Sequence, residues 1–135
     1  MTERIERDYS GRTLFEKLGV VADAHVALVG RHEDAFCTNL NARLAKAASQ
    51  SLRTSYDIIF LRVDGPRDLA RIRRAVVHLK ANGALWVFHP KGRGASPTDA
   101  EVRSSGIAAG LVDNKVSAYS ESHTATRFVI PLALR

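Results

Sequence analysis

Three short segments of this chain carry apolar residues on both faces of an extended strand: His25–Gly30, Ile58–Val63 (Arg62 excepted) and Leu85–Phe88. A strand with one apolar face can leave the other in water, whereas these must be covered twice. Between them the apolar spacing turns helical. Phe36, Leu40 and Leu44 recur at i, i+4, i+8 in a helix from about Asp34, with Glu33 and Asp34 at its positive end. Leu69, Ile72, Val76 and Leu79 share one face of a second helix, which Pro66 opens and Asn82-Gly83 ends near Ala81. Strands alternating with helices need crossover connections, so the three strands are expected to be parallel.

The rest of the chain frames that unit. Ser10 is placed to cap a short helix bearing Leu14, Phe15 and Leu18, which Gly19 stops. Thr98 and Glu101 form a Thr-x-x-Glu capping box opening a helix that ends near Gly110. Lys115–Tyr119 and Thr126–Leu132 alternate as strands, and Glu121-Ser122-His123-Thr124 joins them as an antiparallel hairpin. The expectation is an α/β, Rossmann-like fold in two or three layers. Its mixed sheet has about five strands, three parallel plus a C-terminal antiparallel hairpin. Residues 1–8 are expected to form a flexible N-terminus and 9–135 a single domain. If the strands lie in the order one, two, three, right-handed crossovers put both crossover helices on one face. The other face then has only the N-terminal helix, and a second copy would cover it in a homodimer. If the second strand lies beyond the first, no partner is needed.

Composition excludes several classes. One cysteine among 135 residues, Cys37, rules out an internal disulfide and a thiolate metal cage. His25, His78 and His123 are scattered without metal-binding spacing. No apolar run approaches the roughly 18 residues of a membrane helix. The charged start, Met-Thr-Glu-Arg-Ile-Glu-Arg-Asp, has no apolar core of a secretory signal, so a cytoplasmic location is expected. Lys+Arg outnumber Asp+Glu 20 to 14, a net charge of +6 that favours acidic partners.

The stretch from Gly83 to Glu101 resembles a strand, a basic glycine-rich loop and a capped helix in succession. Lys91, Gly92, Arg93 and Gly94 precede the helix start at Thr98, where backbone N–H groups and the helix dipole favour an anion. The order is the reverse of a Walker A loop, so no nucleotide-hydrolysis loop is read there. Ligands of open α/β sheets sit beyond the carboxyl ends of the parallel strands. Those loops contribute Arg31, His32 and Glu33, then Asp64, then His89, Lys91 and Arg93. Arg31, His32, Asp64, His89, Lys91–Gly94 and Thr98 are therefore the candidate anion or ligand site, with no catalytic and no metal residue assigned. Arg67, Arg71, Arg74 and His78 form a stripe opposite the apolar face of their helix, with Arg73 and Lys80 beside it. The stripe reads as a solvated face, with phosphate or nucleic-acid binding through residues 67–80 as the alternative. Cys37 reads as a small helix residue and Trp86 as core.

From Tyr56 to Val129 the chain resembles the latter part of a class I S-adenosylmethionine-dependent methyltransferase. Tyr56-Asp57-Ile58-Ile59-Phe60, Leu79-Lys80-Ala81-Asn82-Gly83-Ala84-Leu85-Trp86-Val87 and Ala108-Ala109-Gly110-Leu111-Val112-Asp113 carry the likeness. That family follows its first strand with a glycine-rich loop, and its second strand ends in an acidic residue for the ribose. Val29-Gly30-Arg31-His32-Glu33-Asp34-Ala35 has one glycine, and that family's second and third strands are absent. The reduced sheet favours the order one-two-three, no S-adenosylmethionine is expected as cofactor, and a non-catalytic binding domain is the reading. The alternatives are a phosphate-bearing ligand at the basic loop and an S-adenosylmethionine-dependent methyltransferase. Nearly the whole chain also resembles a family of short bacterial proteins known only as a domain of unknown function. The matching residues are Tyr9–Gly19, Val26–Gly30, Leu85–Val87, Pro90-Lys91, Gly110–Val116 and Arg127–Val129. That resemblance implies kinship and no activity.

Overall fold

The computed structural model describes residues 13–135. The proposed cap Ser10, the proposed flexible segment 1–8 and the matching residues Tyr9–Arg12 lie outside them. Helix α1 (Leu14–Lys17) is capped by Thr13, whose hydroxyl accepts from the Glu16 N–H at 3.2 Å, and Gly19 follows it at φ +75°. Strand β1 (Val26–Val29) leads to α2 (Asp34–Arg43), and β2 (Tyr56–Arg62) leads through a 3-10 turn at Pro66–Leu69 to α3 (Ala70–Val76). Strand β3 (Leu79–Pro90), α4 (Asp99–Ala108), β4 (Val112–Ala118) and β5 (His123–Val129) complete the fold. The Thr98–Glu101 capping box opens α4 as expected, and Gly110 at φ +91° follows its end.

The sheet order is β1-β2-β3-β5-β4. The first three strands are parallel, with Ala27 opposite Ile59 and Ile59 opposite Leu85; β5 runs antiparallel between β3 and β4. The mixed five-stranded sheet is the one expected. The expected ends of α3 and β3 are not. Leu79 pairs with Tyr56 as the first residue of β3, so the helix stops at Val76. Leu79 still joins Ile72 in the core, from a strand and not from a helical turn. Gly83 is no helix stop: a Cβ there would lie 2.9 Å from the Asp57 carbonyl oxygen, where β3 re-enters its register with β2.

The helices also distribute differently. Leu14, Phe15 and Leu18 of the α1 region pack with Phe36 and Leu40 of α2 on one face, against Leu28, Phe60 and Trp86. Ile72 and Ala75 of α3 and Val102 of α4 pack on the other, against Ile59, Leu61 and Val87. The order one-two-three therefore holds without putting both crossover helices on one side. The reason is Ser49. After α2 the chain reaches the outer edge of β1, where the Leu28 N–H donates to the Ser49 carbonyl (2.8 Å) and the Ser49 N–H to that of Val26 (2.9 Å). It then returns across the α3 side, with Leu52 packed in that core and the Tyr56 hydroxyl donating to the Ser51 carbonyl at 3.0 Å. So α2 belongs to an outward crossover from β1, while α3 belongs to the β2-to-β3 crossover in the opposite direction. Both obey right-handedness on opposite faces. The bare face that called for a second copy is absent, because helices cover both sides.

Candidate functional site

The crossovers leave β1 and β2 toward opposite faces, so the sheet switches direction between Gly30 and Arg62. Such a switch point is where open α/β sheets hold ligands, at the strands' carboxyl ends. Gly30 adopts φ +89°, and a Cβ there would lie 3.0 Å from the Arg62 carbonyl oxygen. A glycine lets the two strand ends meet.

An ion-pair cluster fills the space above them. The Arg62 guanidinium donates to the Glu33 carboxylate and, at 3.0 Å, to Asp64. The Tyr119 hydroxyl donates to the other oxygen of Glu33. The Arg62 side chain is only 11% exposed, so burial pulls its pKa down, but the two carboxylates more than reverse this and raise it. Asp64 also accepts from His123 Nε2 at 2.9 Å. A carboxylate can only accept, so Nε2 donates to it, while Nδ1 and the Ser122 hydroxyl are hydrogen-bonded at 2.6 Å. This clamp fastens the β4–β5 turn to the end of β2. Glu33 stands at the N-cap of α2 without capping it, because its carboxylate is committed to Arg62 and Tyr119.

The expected site residues do not form one cluster. Arg31 is exposed. His32 turns into the core between Phe36 and Phe88, its Nε2 sharing a proton with the carbonyls of Val29 (3.1 Å) and Phe60 (2.9 Å). Its Nδ1 is buried without a hydrogen-bond partner, and burial lowers its pKa despite the carbonyl bonds. His89 is 1% exposed and bonds Thr126 Oγ1 at 2.8 Å; its Nδ1 lies 3.5 Å from Asp99 but outside hydrogen-bond geometry. Burial lowers this histidine's pKa more than Asp99 raises it. The Lys91 N–H donates to the Ser122 carbonyl at 3.0 Å, tying the basic loop to the hairpin. Gly92 and Gly94 have φ +94° and +79°, and Arg93 between them is exposed. The helix start they precede supplies its own anion: the Glu101 carboxylate accepts from the Thr98 N–H at 2.9 Å, with Asp99 beside it.

Arg62, Tyr119 and His123 are the residues sequence reasoning missed. Arg62 did carry a signal, as the one polar residue in the apolar run Ile58–Val63. The hairpin turn carried another, since an antiparallel strand beside β3 must begin where β3 ends. Cys37 is half-buried with its thiol pKa raised by burial, then by Asp34 and Glu33, as befits a packing residue and not a nucleophile. Among the described residues no group of His, Cys, Asp and Glu could hold a metal, and no helix is long and apolar enough to cross a membrane.

A recess of about 340 Å³ lies between α3 and α4, and one of about 350 Å³ borders Gly92, Gly94, Thr98 and Asp99 on the basic loop, whose helix start has its own carboxylates. Besides these, two recesses compete as ligand sites. The larger, about 490 Å³, lies at the amino ends of β2 and β3 beside Asp57, Ala84 and Trp86. Two of its charged groups are engaged: Asp57 accepts from the His25 N–H and pairs with Lys80, and Lys115 donates to the Lys17 carbonyl. The smaller, about 260 Å³, lies at the carboxyl end of β1, beside the switch point. Val29, Gly30, Gln50 and Leu52 line it, and Arg71 and Arg74 of α3 close its rim. Position at the carboxyl edge outweighs size, and the smaller recess is the candidate ligand site.

No protein-family model and no curated protein matches the chain. Solved structures do. The magnesium protoporphyrin IX methyltransferase ChlM from Synechocystis PCC 6803, with bound SAM, is similar at 11% identity and a TM-score of 0.66, over 87% of this chain and 74% of that one. CalO1, a methyltransferase in calicheamicin biosynthesis in its SAH-bound form, is 18% identical at a TM-score of 0.59, over 83% and 50%. LepI in complex with SAM is 14% identical at a TM-score of 0.52, over 87% and 39%. The chain thus spans about half the length of CalO1 and less of LepI. These likenesses make the fold the Rossmann-like fold of class I methyltransferases. They also correct the expectation that S-adenosylmethionine is not bound. All three neighbours were solved with SAM or SAH on this fold, so the likeness counts toward such a ligand and not against it.

Proposed function

We propose that this chain is a methyltransferase-fold binding domain that takes an S-adenosyl ligand in the recess beside the carboxyl end of β1. The observation that carries the reading is that this recess lies at the carboxyl end of β1, beside the switch point of the sheet. Its donor set fits most of such a ligand. Val29 and Leu52 offer apolar surface to a purine, Gln50 offers an amide to ring or ribose, and the two arginines suit the amino-acid carboxylate. No carboxylate is among the lining residues, so the sulfonium of S-adenosylmethionine meets positive charge without an offset. S-adenosylhomocysteine, which lacks it, is the better fit. When bound, S-adenosylmethionine would supply an electrophilic methyl group.

Binding without methyl transfer is favoured because the acid–base groups at this edge are engaged with one another. Glu33 is held by Arg62 and Tyr119, and Asp64 by Arg62 and His123. A general base needs a lone pair directed at substrate. The test is titration calorimetry with both ligands. Saturable binding is expected, tighter for S-adenosylhomocysteine and weakened by Gln50→Ala. Absence of heat with either ligand would refute the site. Methyl release from labelled S-adenosylmethionine, faster with the protein than without it and lost in Glu33→Gln, would refute the non-catalytic half.

A further inference from the structure

We infer that the recess also accepts an adenosine ligand carrying a phosphate, with Arg71 and Arg74, the pair that would meet the carboxylate of an S-adenosyl ligand, holding the phosphate instead; this rests on the reading of the recess as the ligand site. The two arginines are three residues apart on α3 and so neighbours on its surface, where like charges repel. Arg71 reaches one carboxylate, Asp68, at a loose 3.7 Å, and Arg74 makes no ion pair among the described residues. No acidic residue lines the recess they border. A third guanidinium stands nearby, Arg53 Nε donating to the Ser51 hydroxyl at 3.0 Å on the recess wall. Both arginines are exposed at the rim of the recess, in contrast to the half-buried Arg62, which Glu33 and Asp64 neutralise. Two guanidinium groups, one loosely paired and one without an ion pair among the described residues, beside an apolar and amide-lined hollow suit a dianion, because guanidinium forks match phosphate oxygens two at a time. The basic loop at Lys91–Gly94 is the weaker phosphate site, since Asp99 and Glu101 already place negative charge on the helix start behind it.

The experiment compares adenosine, AMP, S-adenosylhomocysteine and inorganic phosphate by calorimetry on the whole chain. AMP should bind at least about tenfold more tightly than adenosine, and inorganic phosphate alone more weakly than AMP. Arg71→Ala and Arg74→Ala should each remove most of the AMP advantage and leave adenosine within about twofold. Arg93→Ala should change neither, and circular dichroism confirms that each variant folds. Equal affinity for AMP and adenosine, or an AMP advantage that survives in the double variant, overturns the phosphate assignment. Inorganic phosphate binding as tightly as AMP overturns the adenosine half of it. In each of those cases S-adenosylhomocysteine binding still upholds the recess as the ligand site. No binding of any of the four overturns both.

Discussion

The Arg62 cluster yields a prediction whose size follows from burial. Arg62 and Glu33 have side chains 11% and 20% exposed, whereas Asp64 is 53% exposed. Breaking a buried pair costs about 3–5 kcal/mol and an exposed one about 0–1 kcal/mol. The Arg62–Glu33 pair sits between these limits, and Tyr119 still holds Glu33 once Arg62 is gone. A double-mutant cycle with Arg62→Met and Glu33→Gln should therefore give a coupling of about 2 kcal/mol. The parallel cycle with Asp64→Asn should give less than about 1 kcal/mol, because water and His123 take over that carboxylate. Urea is the right denaturant, since guanidinium chloride would screen the charges under test. With an m-value of about 2 kcal/mol/M, Arg62→Met alone should lower the midpoint by about 1 M. A Glu33 coupling below about 0.5 kcal/mol, or one smaller than that of Asp64, would refute the view that this cluster closes the space above the switch point.

Three further outcomes follow from packing and burial. In Gly106→Ala the new Cβ lies 2.2 Å from Phe128 Cε1, a fully buried ring, so overpacking of about 1–3 kcal/mol should exceed the roughly 1 kcal/mol gained in helix propensity. A variant as stable as the parent would mean the ring has room. Trp86→Phe should cost about 1–3 kcal/mol by leaving the buried Leu18 carbonyl without its 3.0 Å donor, and an unchanged melting temperature would count against that bond. His32 and His89 have folded pKa values below the ordinary 6.5, so the folded state binds fewer protons. Their contribution is whole above that pH and is lost as pH falls from it toward the folded values. The slope is at most about 1.4 kcal/mol per pH unit for each histidine. Urea midpoints between pH 7.5 and 5.5 that do not fall, or that fall equally in His89→Gln, would contradict the assignment.

The parts of this fold legible in one sequence are those written in local chemistry. The doubly apolar runs became β1, β2 and the centre of β3. The Thr98–Glu101 box opened α4, and the short hairpin connection made β4 and β5 antiparallel. What failed was carried by backbone contacts between distant residues. Leu79 satisfies a helical period with Leu69, Ile72 and Val76, yet buries in the same core from β3, so periodicity alone put it in the wrong element. The outward crossover depends on two backbone hydrogen bonds at Ser49 that no side chain announces. The site failed in a more instructive way. Clustering along the chain drew attention to Lys91–Gly94, where the nearby helix start already has its own carboxylates. Arg67, Arg71 and Arg74 are exposed, as the solvated stripe read from the sequence requires; what the sequence does not show is that Arg71 and Arg74 border Gly30 and Gln50, brought across the sheet by the Ser49 contact. A run of basic residues says how much positive charge is present. Whether it is left for a ligand depends on which acidic groups the fold brings beside it; none lines this recess, and Asp68 reaches Arg71 only at 3.7 Å.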